Sequence, residues 1–470
     1  MGIESNERPA RAVVAAVQLP GVSDVEFGAS LNELRELAKT LGFEVVGTFM
    51  QKRDKFDTTA YLGTGKRQEM RRFVENDSEH SEDSPATADS ARKAAKSGAA
   101  RAKEAAQSAA DPETRRADIV LVDHEISPSQ ARNLEIEVGC EVMDRTMVIL
   151  EIFHRHARSR AARAQVEIAR LGYMAPRLRE AAKLAGPKGR QRSGTGGRGA
   201  GEAHSELDRQ KIRNRIRELQ EEIAAMDVEH KTQRARRQER QGLARVALVG
   251  YTNAGKSTLM RALTGSEVLV ADKLFATLDT TVRALHPESV PRVLVSDTVG
   301  FIKNLPHDLV ASFKSTLEEA MEASLLIHVI DASDPGFERQ LAVTDQVLSE
   351  IGAQDVPCIR VFNKIDCVGD ALAQAAHAAA LRDQYPDCMV MSARRESDVA
   401  QLHAAIRTFF RKGLIEGEIF LPWSAQRMRG EIFANCEVLQ ERADDEGTHF
   451  RVRGEPGTVN GLRAQFGQTR

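Results

Sequence analysis

The sequence predicts an α/β protein, on three observations. Apolar runs of strand length alternate with helically spaced apolar residues over 12–145. The same alternation returns over 243–412. Within that second stretch the run Val246–Val249 stops at Gly250, and Gly255-Lys256-Ser257 follows, so a glycine-rich turn joins a strand to a helix opening near Lys256.

In chain order, Ala12–Leu19 reads as a strand. Leu31, Leu34, Ala38 and Leu41 share one helical face, and Phe43–Phe49 reads as a second strand. Asp118–Val122 is a third strand, Ser127-Pro128 opens a helix as cap and first-turn proline, and Cys140–Met143 is a further short strand. This alternation predicts a small parallel α/β domain over 1–145. Tyr61–Lys66 (YLGTGK) superficially resembles a phosphate loop but lacks its spacing and a preceding apolar strand, so it reads as a turn into a helix. Residues 75–116 are rich in Ala, Ser, Glu, Asp and Lys and cannot bury enough surface to offset ordering entropy; a disordered insertion is expected there.

Residues 146–240 predict a long antiparallel helical hairpin. Leu150, Phe153, Ala157, Ile168, Leu171 and Ala175 mark the first arm. Ile212, Ile216, Leu219, Ile223 and Met226, spaced 4-3-4-3, mark a coiled-coil seam on the second. Between them Gly194, Gly196, Gly197, Gly199 and Gly201 interleave with Arg190, Arg192 and Arg198. From Phe153 to Arg240 there are 22 Lys/Arg against 11 Asp/Glu, an excess of one sign that favours contact with phosphate backbone. The tip has no aromatic residue for base stacking, so structured RNA read by shape is the expected target.

Over 243–412 four motifs follow one another. Gly250, Tyr251, Thr252, Asn253, Ala254, Gly255, Lys256, Ser257 and Thr258 form a G-x-x-x-x-G-K-S loop whose N–H groups would cradle phosphate oxygens. Lys256 would reach the β- and γ-phosphates and the Ser257 hydroxyl would ligate Mg²⁺. Phe275, Ala276, Thr277, Leu278 and Asp279 lie where a first switch belongs, with Thr277 the preferred second Mg²⁺ hydroxyl and Thr280 and Thr281 close competitors. After the strand Val293–Val295 come Asp297, Thr298, Val299 and Gly300: a carboxylate for the Mg²⁺ shell and a Gly N–H for the γ-phosphate.

Asn363, Lys364, Ile365 and Asp366 follow the strand Cys358–Phe362. The Asp366 carboxylate can accept two parallel N–H bonds from the guanine edge, which adenine cannot supply. Asn363 would tie this loop to the phosphate loop, and the Lys364 stem would cover the base. Ser392 and Ala393, followed by Arg394, would offer an N–H to guanine O6. GTP, rather than ATP, is the expected nucleotide, with Lys256, Thr277 and Gly300 the expected catalytic groups. Phe301 stands where many GTPases place a water-orienting glutamine; it cannot hydrogen-bond, so slow intrinsic hydrolysis completed by a partner is expected.

The remainder, 413–470, reads as a small α+β module with candidate strands at Phe420–Trp423, Glu431–Leu439 and Thr448–Val452. Five widely spaced cysteines with no C-x-x-C pair indicate neither a disulfide framework nor a zinc site, and no apolar run is long enough to span a bilayer. The N-terminus has no signal core, and Asn6 breaks the myristoylation pattern. A cytoplasmic monomer is expected.

GYTNAGKSTL (250–259), LVADKLFATLD (269–279), DTVGFIKNLPH (297–307) and NKID (363–366) resemble the signatures of the HflX family of ribosome-associated GTPases. VMDRTMVILEIFHRHA (142–157), the glycine-rich hairpin and ELDRQKIRNRI (206–216) resemble that family's N-terminal part. The resemblance implies binding to the large ribosomal subunit, with the hairpin loop toward the peptidyl transferase centre. It also implies dissociation of stalled or idle ribosomes under stress. The family is further reported to hydrolyse ATP through its N-terminal part, for which no independent motif is present. Two departures stand out. Gly199-Ala200-Gly201-Glu202 replaces the usual G-P-G-E, so a more flexible loop is expected. Thr280-Thr281-Val282-Arg283 replaces Pro-Thr-Thr-Arg, so no switch role passes to Val282. From the residues alone, a signalling GTPase acting through the coiled coil and an ATP-driven RNA-remodelling enzyme remain as alternatives.

Overall fold

The computed structural model describes residues 9–75, 116–185, 209–226, 244–265, 274–275, 281–289, 292–303 and 319–466. The expected insertion, the glycine-arginine tip and Ala276–Thr280 lie outside the described residues. The chain divides into two compact units, 1–155 with 169–216, and 156–168 with 217–470.

The first unit is built on a parallel sheet in the order β2-β1-β3-β4: β1 (Arg11–Gln18), β2 (Glu44–Lys52), β3 (Ile119–Val122) and β4 (Glu141–Asp144). All but the first residue of β1 are buried, as expected of a strand covered on both faces. Helix α1 (Asp24–Thr40) is capped by the Ser23 hydroxyl, which accepts from Glu26 N, and it buries the stripe Phe27, Leu31, Leu34 and Leu37. Helix α2 (Thr64–Val74) begins within the YLGTGK stretch, with Gly63 at its N-cap. Helix α3 (Pro128–Val138) starts with a full capping box between Ser127 and Gln130 and stops at Gly139, whose φ of 85° suits glycine. The predicted long first arm of the hairpin is interrupted. Helix α4 (Arg145–His156) ends before Ala157, and α5 (Arg160–Ala185) begins three residues later, with Ser159 Oγ accepting from Ala162 N at 3.1 Å as a new cap.

At the carboxyl ends of β3 and β4 the first unit carries buried charge. Arg145 donates to Asp123 Oδ1 at 3.0 Å and pairs with Glu33, while Ser30 Oγ donates to Asp123 Oδ2 at 2.7 Å. Asp144, fully buried, accepts from Met147 N at 2.9 Å and from Arg177 Nη2 at 2.6 Å. Helix α6 covers 209–226, and its seam residues Ile212, Ile216, Leu219, Ile223 and Met226 are all sheltered, Leu219 fully.

The second unit centres on a six-stranded sheet in the order β10-β9-β8-β5-β7-β6: β5 (Ala244–Val249), β6 (Thr281–Ala284), β7 (Val293–Asp297), β8 (Leu325–Asp331), β9 (Cys358–Asn363) and β10 (Met389–Val390). Only β6 runs antiparallel to its neighbour. Helices α7 (Lys256–Thr264), α8 (Phe337–Glu350), α9 (Ala371–Gln384) and α10 (Glu396–Arg411) complete this α/β layer. Because β5 lies between β7 and β8, successive strands add to both sides of it, and the crevice at its carboxyl end is the natural ligand site of such a sheet.

Beyond this sheet, β11 (Ile415–Pro422), β12 (Glu437–Ala443) and β13 (Gly447–Gly454) form an antiparallel sheet with its own core of Ile419, Leu421, Ile432, Phe450, Val452 and Val459. The expected strand over Glu431–Leu439 is corrected. Its first part, within Arg429–Asn435, is helix α11, where Ile432 is buried while Ala434, which strand alternation would bury with it, is exposed; from Glu437 onward it is strand, the start of β12. Helix α12 (Pro456–Phe466) closes the chain, and Trp423 opens a 3₁₀ turn instead of ending a strand.

His328 on central β8 is 1% exposed, and its Nδ1 stands 3.6 Å from Asp345 Oδ1, beyond hydrogen-bond reach. Burial, reinforced by the positive charges of Arg360 and Lys256, pushes its pKa down to about 3. The unfolded chain therefore takes up a proton below about pH 6.5 that the folded chain refuses, so this stability is present above that pH and lost on acidification. Between pH 7.5 and pH 5.0 the protein is expected to lose about 2 kcal/mol more than a His328→Leu variant in urea denaturation. Equal losses in the two proteins would refute a neutral buried His328.

Candidate functional site

Strand β5 is fully buried along its last four residues, and its end delivers the glycine turn. Gly250 takes φ 144°, and a Cβ there would fall 2.2 Å from the Val329 carbonyl oxygen of β8. Gly255 takes φ 95°, and a Cβ there would fall 2.3 Å from Asn363 Nδ2. Both positions need glycine for conformation and for space. The loop then enters α7, whose first residue is Lys256.

Lys256 is buried, and its ammonium donates to the carbonyls of Gly250 at 3.0 Å and Tyr251 at 2.7 Å. Burial lowers its pKa to about 8, with Asp297 working in the opposite direction. Ser257 Oγ donates to Asp297 Oδ2 at 2.8 Å, so a hydroxyl and a fully buried carboxylate stand together at the start of α7 and the end of β7. This oxygen-only pair suits a hard divalent cation such as Mg²⁺. Thr277 lies outside the described residues, as do Ala276, Leu278 and Asp279; Phe275 is described and buried.

The segment after β7 folds back on the loop. Thr298 Oγ1 donates to Leu248 O at 2.7 Å. Gly300 lies so close to the loop that a Cβ would be 3.0 Å from both Lys256 Nζ and Thr252 Cα. Phe301 is 2% exposed and packs inward; its backbone pairs with the loop, Phe301 N donating to Gly250 O at 3.1 Å and Thr252 N donating to Phe301 O at 2.7 Å.

The ends of β9 and β10 supply the other side. Asn363 Nδ2 donates to Ala254 O at 2.9 Å, and Asn363 Oδ1 accepts from Ala393 N at 2.9 Å, so one side chain joins three loops. Lys364, at φ 62°, donates to Asp331 Oδ2 at 2.7 Å, which holds its stem beside Gly255. Burial works to raise the Asp366 pKa, but the Ser392 hydroxyl, Arg394 and Arg395 outweigh it and keep the carboxylate ionised. Ser392 N donates to Asp398 Oδ2 at 2.9 Å, and Arg394 N donates to Ser392 Oγ at 3.2 Å. The expected free N–H for guanine O6 is thus not seen: the Ser392 and Ala393 amides are already used in holding the loop.

Among the described residues, the phosphate loop, Asp297–Gly300 and Asn363–Asp366 therefore meet at the carboxyl edge of one sheet. Sequence reasoning missed Asp331, which anchors Lys364, Asp398, which anchors Ser392, and the Tyr251 hydroxyl, which accepts from Lys303 N at 2.7 Å. Asp331 carried a signal, a carboxylate ending an apolar strand; the other two depend on contacts that spacing does not encode.

Comparison with known proteins identifies the family. Residues 245–364 match the family described as 50S ribosome-binding GTPase, 156–237 the GTP-binding GTPase middle region, and 28–84 and 79–154 the GTP-binding GTPase N-terminal family. GTPase HflX of Gluconacetobacter diazotrophicus is 50% identical over 457 residues, covering 96% of this chain and 97% of that protein. GTPase HflX of Caldanaerobacter subterraneus is 39% identical over 443 residues, covering 94% and 90%. Among solved structures, a GTP-binding protein from Sulfolobus solfataricus in complex with GDP aligns over 84% of this chain and 99% of that one, at 21% identity and TM-score 0.42. At such identity over nearly its full length, the chain belongs to the HflX family and is a P-loop GTP hydrolase.

Proposed function

We propose that the protein binds the large ribosomal subunit and its rRNA and uses GTP binding and hydrolysis to dissociate or rescue stalled or idle ribosomes under stress. Buried Phe301 carries this reading. The position after Gly300 offers no side-chain donor or acceptor to an attacking water, so fast turnover needs a group supplied or positioned by a partner. The match of residues 245–364 to a family described as 50S ribosome-binding supports the choice of partner. The basic stretch 153–240 supports contact with rRNA through Arg190, Arg192 and Arg198.

In this reading Lys256 and the loop N–H groups hold the β- and γ-phosphates, and the Gly300 N–H meets the γ-phosphate. Ser257 and Asp297, joined by Thr277, would hold Mg²⁺, which neutralises phosphate charge when bound. The Asp366 carboxylate accepts from guanine N1 and its 2-amino group. Guanine O6 reaches the Ala393 N–H by sharing it with Asn363. Hydrolysis releases the segments around 275–281 and 297–310, changing affinity for the ribosome. The protein is expected to be cytoplasmic and monomeric; no helix among the described residues is long and apolar enough to cross a membrane.

GTP hydrolysis by the purified protein is expected to rise at least tenfold on adding large ribosomal subunits, and to vanish in Lys256→Ala. A fast rate unaffected by subunits would overturn the incomplete-site reading. Asp366→Asn is expected to weaken GTP binding by roughly a hundredfold, because an amide cannot accept both guanine donors. It should bind xanthosine triphosphate better, since its NH₂ can donate to the xanthine 2-carbonyl; unchanged GTP affinity would remove Asp366 from base recognition. Subunit binding should weaken with salt, and Arg190, Arg192 and Arg198→Ala together should lower the log–log slope by about 2 to 3. An unchanged slope would favour a protein partner for the coiled coil.

A further inference from the structure

The second residue of the phosphate loop is a tyrosine whose side chain does something that loop geometry alone does not require. Tyr251 is 7% exposed, and its hydroxyl accepts the Lys303 N–H at 2.7 Å. Between those two residues the backbones pair in strand fashion: Tyr251 bridges Phe301, with Phe301 N donating to Gly250 O and Thr252 N donating to Phe301 O. Among the described residues, three hydrogen bonds seen here help fasten residues 301–303 to the loop, two of them backbone–backbone and available to any residue at position 251. The third needs a side chain of tyrosine's length with an acceptor at its tip. The fastening fixes Gly300 directly over Lys256 Nζ and Thr252.

We propose that Tyr251 is a positioning residue for the GTPase reaction: its hydroxyl holds residues 301–303 on the phosphate loop and thereby sets the Gly300 N–H where the γ-phosphate will lie. The inference rests on the reading of Gly300 as the γ-phosphate contact. GDP has no γ-phosphate and gains nothing from a placed Gly300, whereas GTP does. Loss of the hydroxyl alone therefore acts on the preference for GTP over GDP, by an amount comparable to one neutral hydrogen bond.

Tyr251→Phe keeps the buried ring and removes only the acceptor. The expected result is a fall of about fivefold in the ratio of affinities for a non-hydrolysable GTP analogue and GDP. Faster amide hydrogen exchange in the peptide covering 299–303 of the nucleotide-free full-length chain should accompany it. Gly300→Ala is measured beside it. If Gly300→Ala lowers the ratio and Tyr251→Phe leaves it unchanged, or raises it, the positioning role is overturned while the γ-phosphate reading stands. If Gly300→Ala also leaves the ratio unchanged, the γ-phosphate reading itself fails. Unaltered exchange at 299–303 in Tyr251→Phe overturns the fastening.

Discussion

The nucleotide site depends most on one amide side chain. Asn363 donates to Ala254 O and accepts from Ala393 N, joining the phosphate loop to the two loops that end β9 and β10. Asparagine carries a donor and an acceptor on one planar group, so a single buried residue can meet a carbonyl on one side and an N–H on the other. Asp in its place would put a carboxylate oxygen against the Ala254 carbonyl, and Ala would leave two buried backbone groups unpaired, each at a cost of about 1–3 kcal/mol. The same contact dictates glycine at 255, since any Cβ there would overlap the asparagine nitrogen. Two of the four motifs are thus one constraint seen from either side.

This explains which parts were legible in the sequence. Residues whose identity follows from local backbone demands announce themselves: Gly250 and Gly255 at positive φ, the Ser127 capping box with Pro128, and Gly139 at a helix end. Strand positions were legible as well, because almost fully buried strands such as β1 and β5 are nearly continuous apolar runs. Less legible were features with non-local partners. The break between α4 and α5 falls where apolar spacing continues unbroken through Ala157, and nothing nearby but Ser159 hints at a cap. Helix α11 was misread because its seven residues run directly into β12, and within the helix only Ile432 is buried. Within the site, the loop holding Ser392 is shaped by Asp398 on the following helix, six residues away, and the Ala393 N–H that spacing offers to the base also donates to Asn363.

The first unit meets a different constraint. Its sheet is apolar, but Asp123, Asp144 and Arg145 at the strand ends are almost wholly buried. Isolated, each would be costly; here Asp123 is met by Arg145 and Ser30, and Asp144 by the Met147 N–H and Arg177. Such pairs add little net stability against apolar substitutes, but removing one partner strands the other in a low-dielectric interior. Arg177 on α5 meeting Asp144 at the end of β4 fixes the register of that helical segment against the sheet, which an apolar contact at one point would leave free to slide.

The second unit divides its labour by how firmly each loop is held. Lys256 is a buried cation satisfied by two loop carbonyls and opposed by desolvation, so its charge is set in place before any phosphate arrives. An anion delivered to that point meets a donor with little hydration left to lose and no reorganisation to undergo, which is how a preorganised site turns geometry into affinity. The base loops are equally fixed, through Asn363, Asp331 and Asp398. Residues 301–303 are held differently, by two backbone bonds and a hydroxyl at one edge of the phosphate loop. Phe301 and Ile302 are themselves buried there, so this edge of the loop is held by packing as well as by hydrogen bonds. In the proposed GTPase cycle, loss of the γ-phosphate would act first on Gly300 and the segment that follows it, while Asn363 keeps the base loops joined to the phosphate loop.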